Sequence, residues 1–303
     1  MTNRSYISFL RHESFRLRNF FKDNAPGIFL WEYAASQSYH MPLLAKAAGW
    51  KVIAMPHNLE SLVPNQFSRI SKKRSPLWFN EELKVLSTCD HIVTISREEQ
   101  WLLRLYGINA DFLPYYPPEA TETALLSVRK HRHDNSSCGD MKKFLLLGTF
   151  YNPPTRLGML KLVRHFAQKQ NQRDLPYEIH IAGYGTEKLR EAIDIPKGVQ
   201  LHGEIEQSKL EMLLSDINGV IAHQPATTGC LTKIPEMLIA GIPLLLNANS
   251  ARSWHGWPGI HIYENLTELF DLMGKKLHSP LCPEPPLVQE IRFSKKLKAG
   301  KDE

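Results

Sequence analysis

The sequence predicts an α/β protein of two units, each a parallel sheet wound with helices, and three observations predict it. Its 303 residues exceed what one hydrophobic core usually organises. Its composition, 43% hydrophobic and 22% charged, is that of a globular chain and excludes disordered and membrane-spanning classes. Short β-rich runs alternate with longer segments of helical period in both halves. No apolar run approaches the roughly 18–20 residues of a spanning helix, and no small-residue cleavage pattern follows the start. The expected location is the cytoplasm, or peripherally the cytoplasmic face of a membrane. Cys89, Cys138, Cys230 and Cys282 lie far apart without metal-ligand spacing, so reduced thiols and no metal are expected. The net charge of +6 suits anionic partners, and much of it sits at the two ends. Arg4, Arg11, Arg16, Arg18 and Lys22 lie at one, and Lys295, Lys296, Lys298 and Lys301 at the other.

The first element, SYISFLRHESFRLRNFF at 5–21, mixes aromatics with arginines in a helical window. Such a helix commonly packs on its own domain; with its rings in an anionic surface it would give peripheral membrane contact. Strands follow at 28–33, 51–55, 91–95 and 110–113, with helices at 37–48, 78–88 and 97–106, the last N-capped by Ser96. Pro117, Pro118 and the polar run HRHDNSSCGD predict a linker or exposed loop. The expected limits are 1–120 for the first domain, 121–142 for the linker and 143–278 for the second domain. Within the second, strands are read at 144–148, 177–182, 199–202, 218–223, 243–247 and 259–262, with helices at 157–170, 186–192, 207–215 and 233–240. The remainder, 279–303, is Pro-rich and then Lys-rich and reads as a solvated basic tail.

Open parallel sheets bind ligands outside the carboxyl ends of their strands. The informative segments are therefore Gly148-Thr149-Phe150, Gly183-Tyr184-Gly185, Gly203-Glu204-Ile205, His223 to Lys233 and Asn247 to Ala251. Each glycine alone reads as a tight turn; the set in this order reads as room for a ligand against the backbone. The strongest segment, TGCLTKIPEMLIAGIP at 228–243, runs from a glycine loop into a helix with Thr232, Lys233 and Glu236 in its first turn. Helix N–H groups and the Lys233 ammonium suit a diphosphate. Glu236, three positions on and on the same face, can accept hydrogen bonds from two ribose hydroxyls. An acid in a first turn also stabilises a helix that binds nothing.

Those segments carry a resemblance. From Phe144 to Pro243 the text resembles the donor half of GT-B glycosyltransferases, the family 4 and family 1-like group, in "FLLLGTFYNPPTRLGMLKLV", "YEIHIAGYG", "VQLHGEIEQSKLEMLLSD" and "TTGCLTKIPEMLIAGIPLL". "KVIAMPHNLESL" and "CDHIVTISREEQWLLRLYG" are weaker matches in the first half. The resemblance implies two Rossmann-like domains facing each other across a cleft, with a shortened N-terminal domain. It implies a hexosyltransferase-like enzyme that moves a sugar, with retention, from a nucleoside-diphosphate sugar to a hydroxyl of a glycan or lipid-linked acceptor. By the same resemblance Glu236 would hold the ribose, and Gly203, Glu204 and Ile205 the base. Gly148, Thr149, Thr228, Gly229, Thr232 and Lys233 would hold the diphosphate and sugar. His57 and Lys233 would be catalytic, and Glu32, Asn58 and Glu60 would lie on the acceptor side. A histidine after a strand is as often structural as functional. The nucleotide sugar is a co-substrate, and no cofactor or metal is implied.

Two departures stand out. Many members carry a second glutamate eight positions before the ribose-binding one, where this chain has Thr228, and the arginine and lysine common after the first donor-half strand have no clear counterpart beyond nearby Arg156. A non-catalytic or partner-dependent nucleotide-sugar-binding subunit, or a sugar-nucleotide epimerase of the same fold, are the alternatives. Nucleic-acid binding would rest on charge alone, without a recognised module, and is not expected.

Overall fold

The computed structural model describes residues 3–32, 36–63, 76–134, 141–170 and 176–299. Contacts divide the chain into two units. Unit 1 is Met1–Pro114, Thr228–Cys230 and Pro286–Glu303; unit 2 is Tyr115–Thr227 and Leu231–Pro285.

Unit 1 opens with α1 (Asn3–Asp23), β1 (Ile28–Trp31), α2 (His40–Ala47) and β2 (Lys51–Ala54), followed by α3 (Pro76–Ser87), β3 (His91–Thr94), α4 (Arg97–Leu105) and β4 (Asp111–Phe112). The four strands are parallel and in sequence order, β1-β2-β3-β4. All four strands expected from the sequence are present. Val52, Ile53 and Ala54 are buried in succession, as are Ile92, Val93 and Thr94, because both faces of these strands are covered. Ser96 caps α4 by accepting the Glu99 N–H, as the sequence predicts. Near the end of α1, Phe21 is buried edge-on against Phe29 and Trp50, while Phe15 and Phe20 stay exposed. The helix is thus anchored on its own unit through Phe21, with Leu17 in the same cluster and the Phe20 ring also against Trp50.

Unit 2 contains α5 (Glu119–Asp134), β5 (Lys142–Leu147), α6 (Pro153–Gln170), β6 (Tyr177–Ala182), α7 (Leu189–Ala192), β7 (Val199–Gly203) and α8 (Gln207–Asp216). It continues with β8 (Gly219–Ala222), α9 (Lys233–Ile239), β9 (Leu244–Asn247), α10 (Ala248–Ala251), β10 (Ile260–Tyr263) and α11 (Leu266–Gly274). Its six strands are parallel in the order β10-β9-β8-β5-β6-β7, the doubly wound arrangement. Successive residues of each strand feed opposite faces. Leu145, Val220, Leu244 and Leu246 pack on one side with α8 and α9 residues such as Leu214 and Leu238, while Phe144, Leu146, Ile221 and Leu245 pack on the other with Phe166 of α6 and Phe270 of α11. The topology reverses between β5 and β8, which opens a crevice at their carboxyl ends.

Two sequence expectations are corrected. The segment read as a linker, 121–142, is mostly α5, and unit 2 begins at Tyr115. The periodicity is there: Leu125 and Val128 are buried in the unit 2 core, and Arg129 and Arg132 share their face. Arg129 donates to the carbonyls of Leu238, Ile239 and Pro280, and Arg132 to those of Leu214 and Ile217. Each arginine thus satisfies carbonyls at the end of a neighbouring helix, α9 or α8, that the helix itself leaves without donors. Positions 135–140, which include Cys138, lie outside the described residues. The tail read as solvated, 279–303, contains α12 (Leu287–Ala299) within unit 1, where Lys296 pairs with Asp111. Pro286, just before the helix, is a residue with which helices favourably start. Lys301 lies outside the described residues.

Gly158 sets how closely α6 approaches the end of β8, since a Cβ there would stand 1.6 Å from the His223 carbonyl oxygen. Gly158→Ala should therefore destabilise the chain by about 2–4 kcal/mol in urea unfolding, outweighing the roughly 1 kcal/mol that alanine gains in a helix. Unchanged or higher stability would mean that α6 and the β8 loop are not packed this way.

Candidate functional site

The crevice between β5 and β8 holds a small cavity of about 20 Å³, room for about one water. Thr155, Gln224 and Lys233 line its polar side, and Leu146, Leu147 and Ile221 its apolar side. Lys233, first residue of α9, donates its ammonium to the Leu147 carbonyl at the end of β5. Burial pulls its pKa down from the ordinary lysine range to about 8, against the opposing pull of Glu236. One turn on, Glu236 accepts the Tyr115 hydroxyl through Oε1 at 2.7 Å. Burial raises the Glu236 pKa, while the Tyr115 hydrogen bond and Lys233 draw it back. Burial, together with that carboxylate, raises the Tyr115 phenol. The sequence reading missed Tyr115, which lies 121 positions away from its partner.

The start of α9 contributes less than a full set of donors. Thr232 makes no side-chain cap, the Ile234 N–H is taken by the Leu231 carbonyl at 3.0 Å, and Pro235 has no N–H. The positive charge at this point is therefore mainly that of Lys233.

The turns after β5, β6 and β7 are hydrogen-bonded side by side. Gly148 N–H donates to Ala182, Phe150 N–H to Tyr184 and Gly183 N–H to Gly203. Gly148 and Gly183 lie at φ 153° and 127°, and a Cβ on Gly183 would stand 2.3 Å from the Gly148 carbonyl oxygen. These two glycines thus let backbone approach backbone; a Cβ on Gly148 itself would also meet Thr155 at 2.9 Å and the Lys233 ammonium at 3.0 Å. Thr149 is exposed and donates its hydroxyl to the Tyr184 carbonyl. The Tyr151 and Tyr184 rings, 5.1 Å apart and both exposed, form an aromatic step with the Lys188 ammonium over Tyr151. Beside it lies an open depression of about 380 Å³ bordered by Tyr184, Arg190, His202, Gly203 and Glu204. Ile205 packs its side chain against the core.

A polar network after β8 and β9 was also missed residue by residue, although both segments were singled out. Buried Gln224 exchanges backbone hydrogen bonds with the Asn247 side chain, donates to Thr155 and accepts from Arg252. Arg252 is the one non-glycine residue at positive φ, 37°, among the described residues. His223 pairs with the Tyr263 hydroxyl at 3.0 Å, and burial lowers its pKa to about 4, so the ring is neutral. The signal in the sequence is polar text, HQ and NANS, directly after strands that are buried on both faces.

The remaining expected site residues belong to unit 1. His57 and Glu32 are exposed, and Asn58 donates to Glu60 at 3.1 Å. Glu60, expected on the acceptor side, is buried. Its N–H and that of Ser61 donate to Glu82, whose carboxyl burial pushes up to about 7. Thr228 and Gly229, expected beside the donor phosphates, make hydrogen bonds within unit 1. The Thr228 hydroxyl donates to the Leu59 carbonyl, and the Gly229 N–H shares Glu99 Oε1 with the Leu59 N–H. Gly229 lies at φ 81°, which favours glycine, and a Cβ there would also crowd Asn58 Oδ1 at 1.9 Å and the His57 carbonyl oxygen at 3.0 Å. The structure therefore brings Gly148, Lys233 and Glu236 together in unit 2, and His57, Asn58, Glu60, Thr228 and Gly229 together in unit 1.

No protein-family model matches the sequence, and no curated protein matches it. Solved structures do match. Sucrose-phosphate synthase from Thermosynechococcus elongatus superposes with a TM-score of 0.65 at 14% identity, over 90% of this chain and 70% of that one. An α,α-trehalose 6-phosphate synthase from Burkholderia multivorans gives 0.63 at 11% identity, over 99% and 74%. HepE of Anabaena, solved in complex with UDP, gives 0.60 at 9% identity, over 86% and 71%. At these identities the likeness is one of fold: the chain has the two-domain GT-B fold, with four strands in its N-terminal sheet among the described residues.

Lys233 gives the unliganded chain a pH signature. Because its folded pKa, about 8, lies below the unfolded value, the folded state binds fewer protons between about pH 8 and 10. Stability should therefore rise relative to a Lys233→Met variant across that window, by on the order of 1–3 kcal/mol. Parallel urea-stability curves for the two chains would show that Lys233 is not buried as a cation.

Proposed function

We propose that this chain is a glycosyltransferase that takes its sugar from a nucleoside diphosphate held at the carboxyl edge of the unit 2 sheet. The observation that carries the proposal is the placement of Lys233 and Glu236 on the first turn of α9, at the switch point of a doubly wound sheet. A half-buried ammonium and a tyrosine-held carboxylate are the pair of charges that a diphosphate and a ribose diol would require. The HepE structures with UDP and UDP-glucose support a uridine nucleotide as the first donor to try.

The chemistry follows from where charge develops. Breaking the bond between the sugar carbon and the phosphate oxygen leaves an additional negative charge on the diphosphate, and the Lys233 ammonium stabilises it. The Glu236 carboxylate accepts the ribose hydroxyls while Tyr115 fixes its orientation, and the Tyr151–Tyr184 step and the turn at Gly203–Ile205 take the base. In the retaining version the departing phosphate accepts the proton of the acceptor hydroxyl, and no covalent sugar adduct forms. His57 is assigned to the sugar, and Glu32 and Asn58 to the acceptor, a hexose-accepting glycan or lipid-linked sugar. The exposed ring of Phe15 on α1 is the group through which a lipid surface would be touched.

A second reading has one observation in its favour. Among the described residues the unit 1 sheet has four strands, and a sheet that small offers few strand ends for an acceptor, which suits a nucleotide-sugar-binding subunit that works with a partner.

Titration calorimetry of the chain with UDP, GDP and ADP should find one nucleotide that binds. Glu236→Ala should weaken that binding by about ten- to a hundredfold, since it removes a charged hydrogen-bond acceptor. Lys233→Ala should slow donor hydrolysis or transfer by about 10²–10³-fold. Affinity should fall as pH rises through about 8, where Lys233 deprotonates, and the Lys233→Ala variant should lack that step. Binding without turnover across a broad acceptor panel would favour the subunit reading. Failure of all three nucleotides to bind would overturn the proposal.

A further inference from the structure

We propose that unit 2 binds a halide ion, chloride, in the cavity at the carboxyl ends of β5 and β8, with the Lys233 ammonium, the Gln224 amide and the Thr155 hydroxyl as its donors. The cavity has a volume of about 20 Å³, and the rest of its wall is mostly apolar, with Leu146, Met159, Leu162 and Ile221. Among the described residues no carboxylate lines it.

Hydrogen-bond donors converge on this space from three elements. An ammonium has three N–H groups, and the Leu147 carbonyl is the one protein acceptor of Lys233 among the described residues. The Gln224 amide, directly after β8, is fixed in orientation. Its Oε1 accepts Arg252 Nη2 at 3.0 Å, so its NH₂ is turned to Thr155 Oγ1 of α6, 3.4 Å away. One N–H of that pair serves Thr155 and the other is left over. The Thr155 oxygen accepts from Gln224 and keeps its own proton to donate. Gln224 is 4% exposed and Thr155 8%, so bulk water does not take up these hydrogens. The neighbouring polar groups are engaged elsewhere: the His223 ring with the Tyr263 hydroxyl, and Glu236 Oε1 with the Tyr115 hydroxyl.

The ligand class follows from this donor set. A water molecule would bring two hydrogens of its own to a wall of leucine, methionine and isoleucine. A halide brings none, accepts from several donors at once and offsets the charge of the ammonium. Burying an ion is tolerated when it is paired and hydrogen-bonded, and both conditions are met here. Room for about one water admits chloride or bromide and is too small for sulfate, phosphate or a carboxylate group. A bound anion also favours the ammonium, so chloride should move the Lys233 titration up from about 8. The ion would occupy the chain free of nucleotide, so the site does not depend on the donor reading.

The test is chloride NMR line broadening by the nucleotide-free chain, with sodium bromide as competitor and sodium fluoride as the control at matched ionic strength. The chain should broaden the chloride line, and bromide should reverse the broadening saturably where fluoride does not. Lys233→Met, with its fold checked by circular dichroism, should abolish the saturable part, and Thr155→Val should weaken chloride binding several-fold. Lys209→Met, which removes an exposed lysine of the same unit, should leave it unchanged. A crystal soaked in sodium bromide should show an anomalous peak within hydrogen-bond reach of Lys233 Nζ and Gln224 Nε2, a result that decides the question even if Lys233→Met does not fold. No saturable component, one that Lys233→Met or Thr155→Val leaves unchanged, one that Lys209→Met removes, or bromide peaks confined to the surface would overturn the site.

Discussion

The contact between the Lys233 ammonium and the Leu147 carbonyl is the one on which the unit 2 site depends. It ties the first turn of α9 to the end of β5, two places that are neighbours only because the doubly wound order sets β5 beside β8. The same reversal opens the crevice, and the bare backbones of Gly148 and Gly183 keep the turns beside it low enough for the ammonium to lie across them. Burying a cation there is unfavourable, and desolvation pulls its pKa down to about 8. A site that holds a destabilised charge is one that an anionic ligand stabilises.

The frame around that contact is held by arginines of α5. Arg129 and Arg132 each cap the carbonyl end of a helix packed on the sheet, so the segment that enters unit 2 also fixes the direction of α9 and α8. In unit 1, carboxylates have the corresponding role. Glu82 and Glu99 accept backbone N–H groups of the 59–61 loop, and Glu99 also holds Gly229, so the glycine loop that precedes α9 in sequence is organised by acids of unit 1.

What could be read from the sequence was what local pattern determines. The ten strands, from Ile28 to Tyr263, were legible because buried parallel strands are short runs of branched and aromatic residues between turn signals. Lys233 and Glu236 were legible because their chemistry lies three residues apart on one turn. The helix Glu119–Asp134 was not, since its polar, histidine-rich end hid an apolar stripe of only Leu125 and Val128. Tyr115, Gln224 and Arg252 were missed for a different reason: their roles come from partners brought close by the sheet, at 121, 69 and 28 positions of separation. Thr228 and Gly229 have partners of the same distant kind, the Leu59 carbonyl and the Glu99 carboxylate.

The most direct measurement is a lysine-selective NMR titration of Lys233, assigned with the Lys233→Met chain, with and without UDP. The account predicts titration near 8 in the free chain and a rise when UDP is added, because the bound diphosphate favours the ammonium. Titration at the ordinary lysine value of about 10.4, or a value that UDP leaves unmoved, would contradict it.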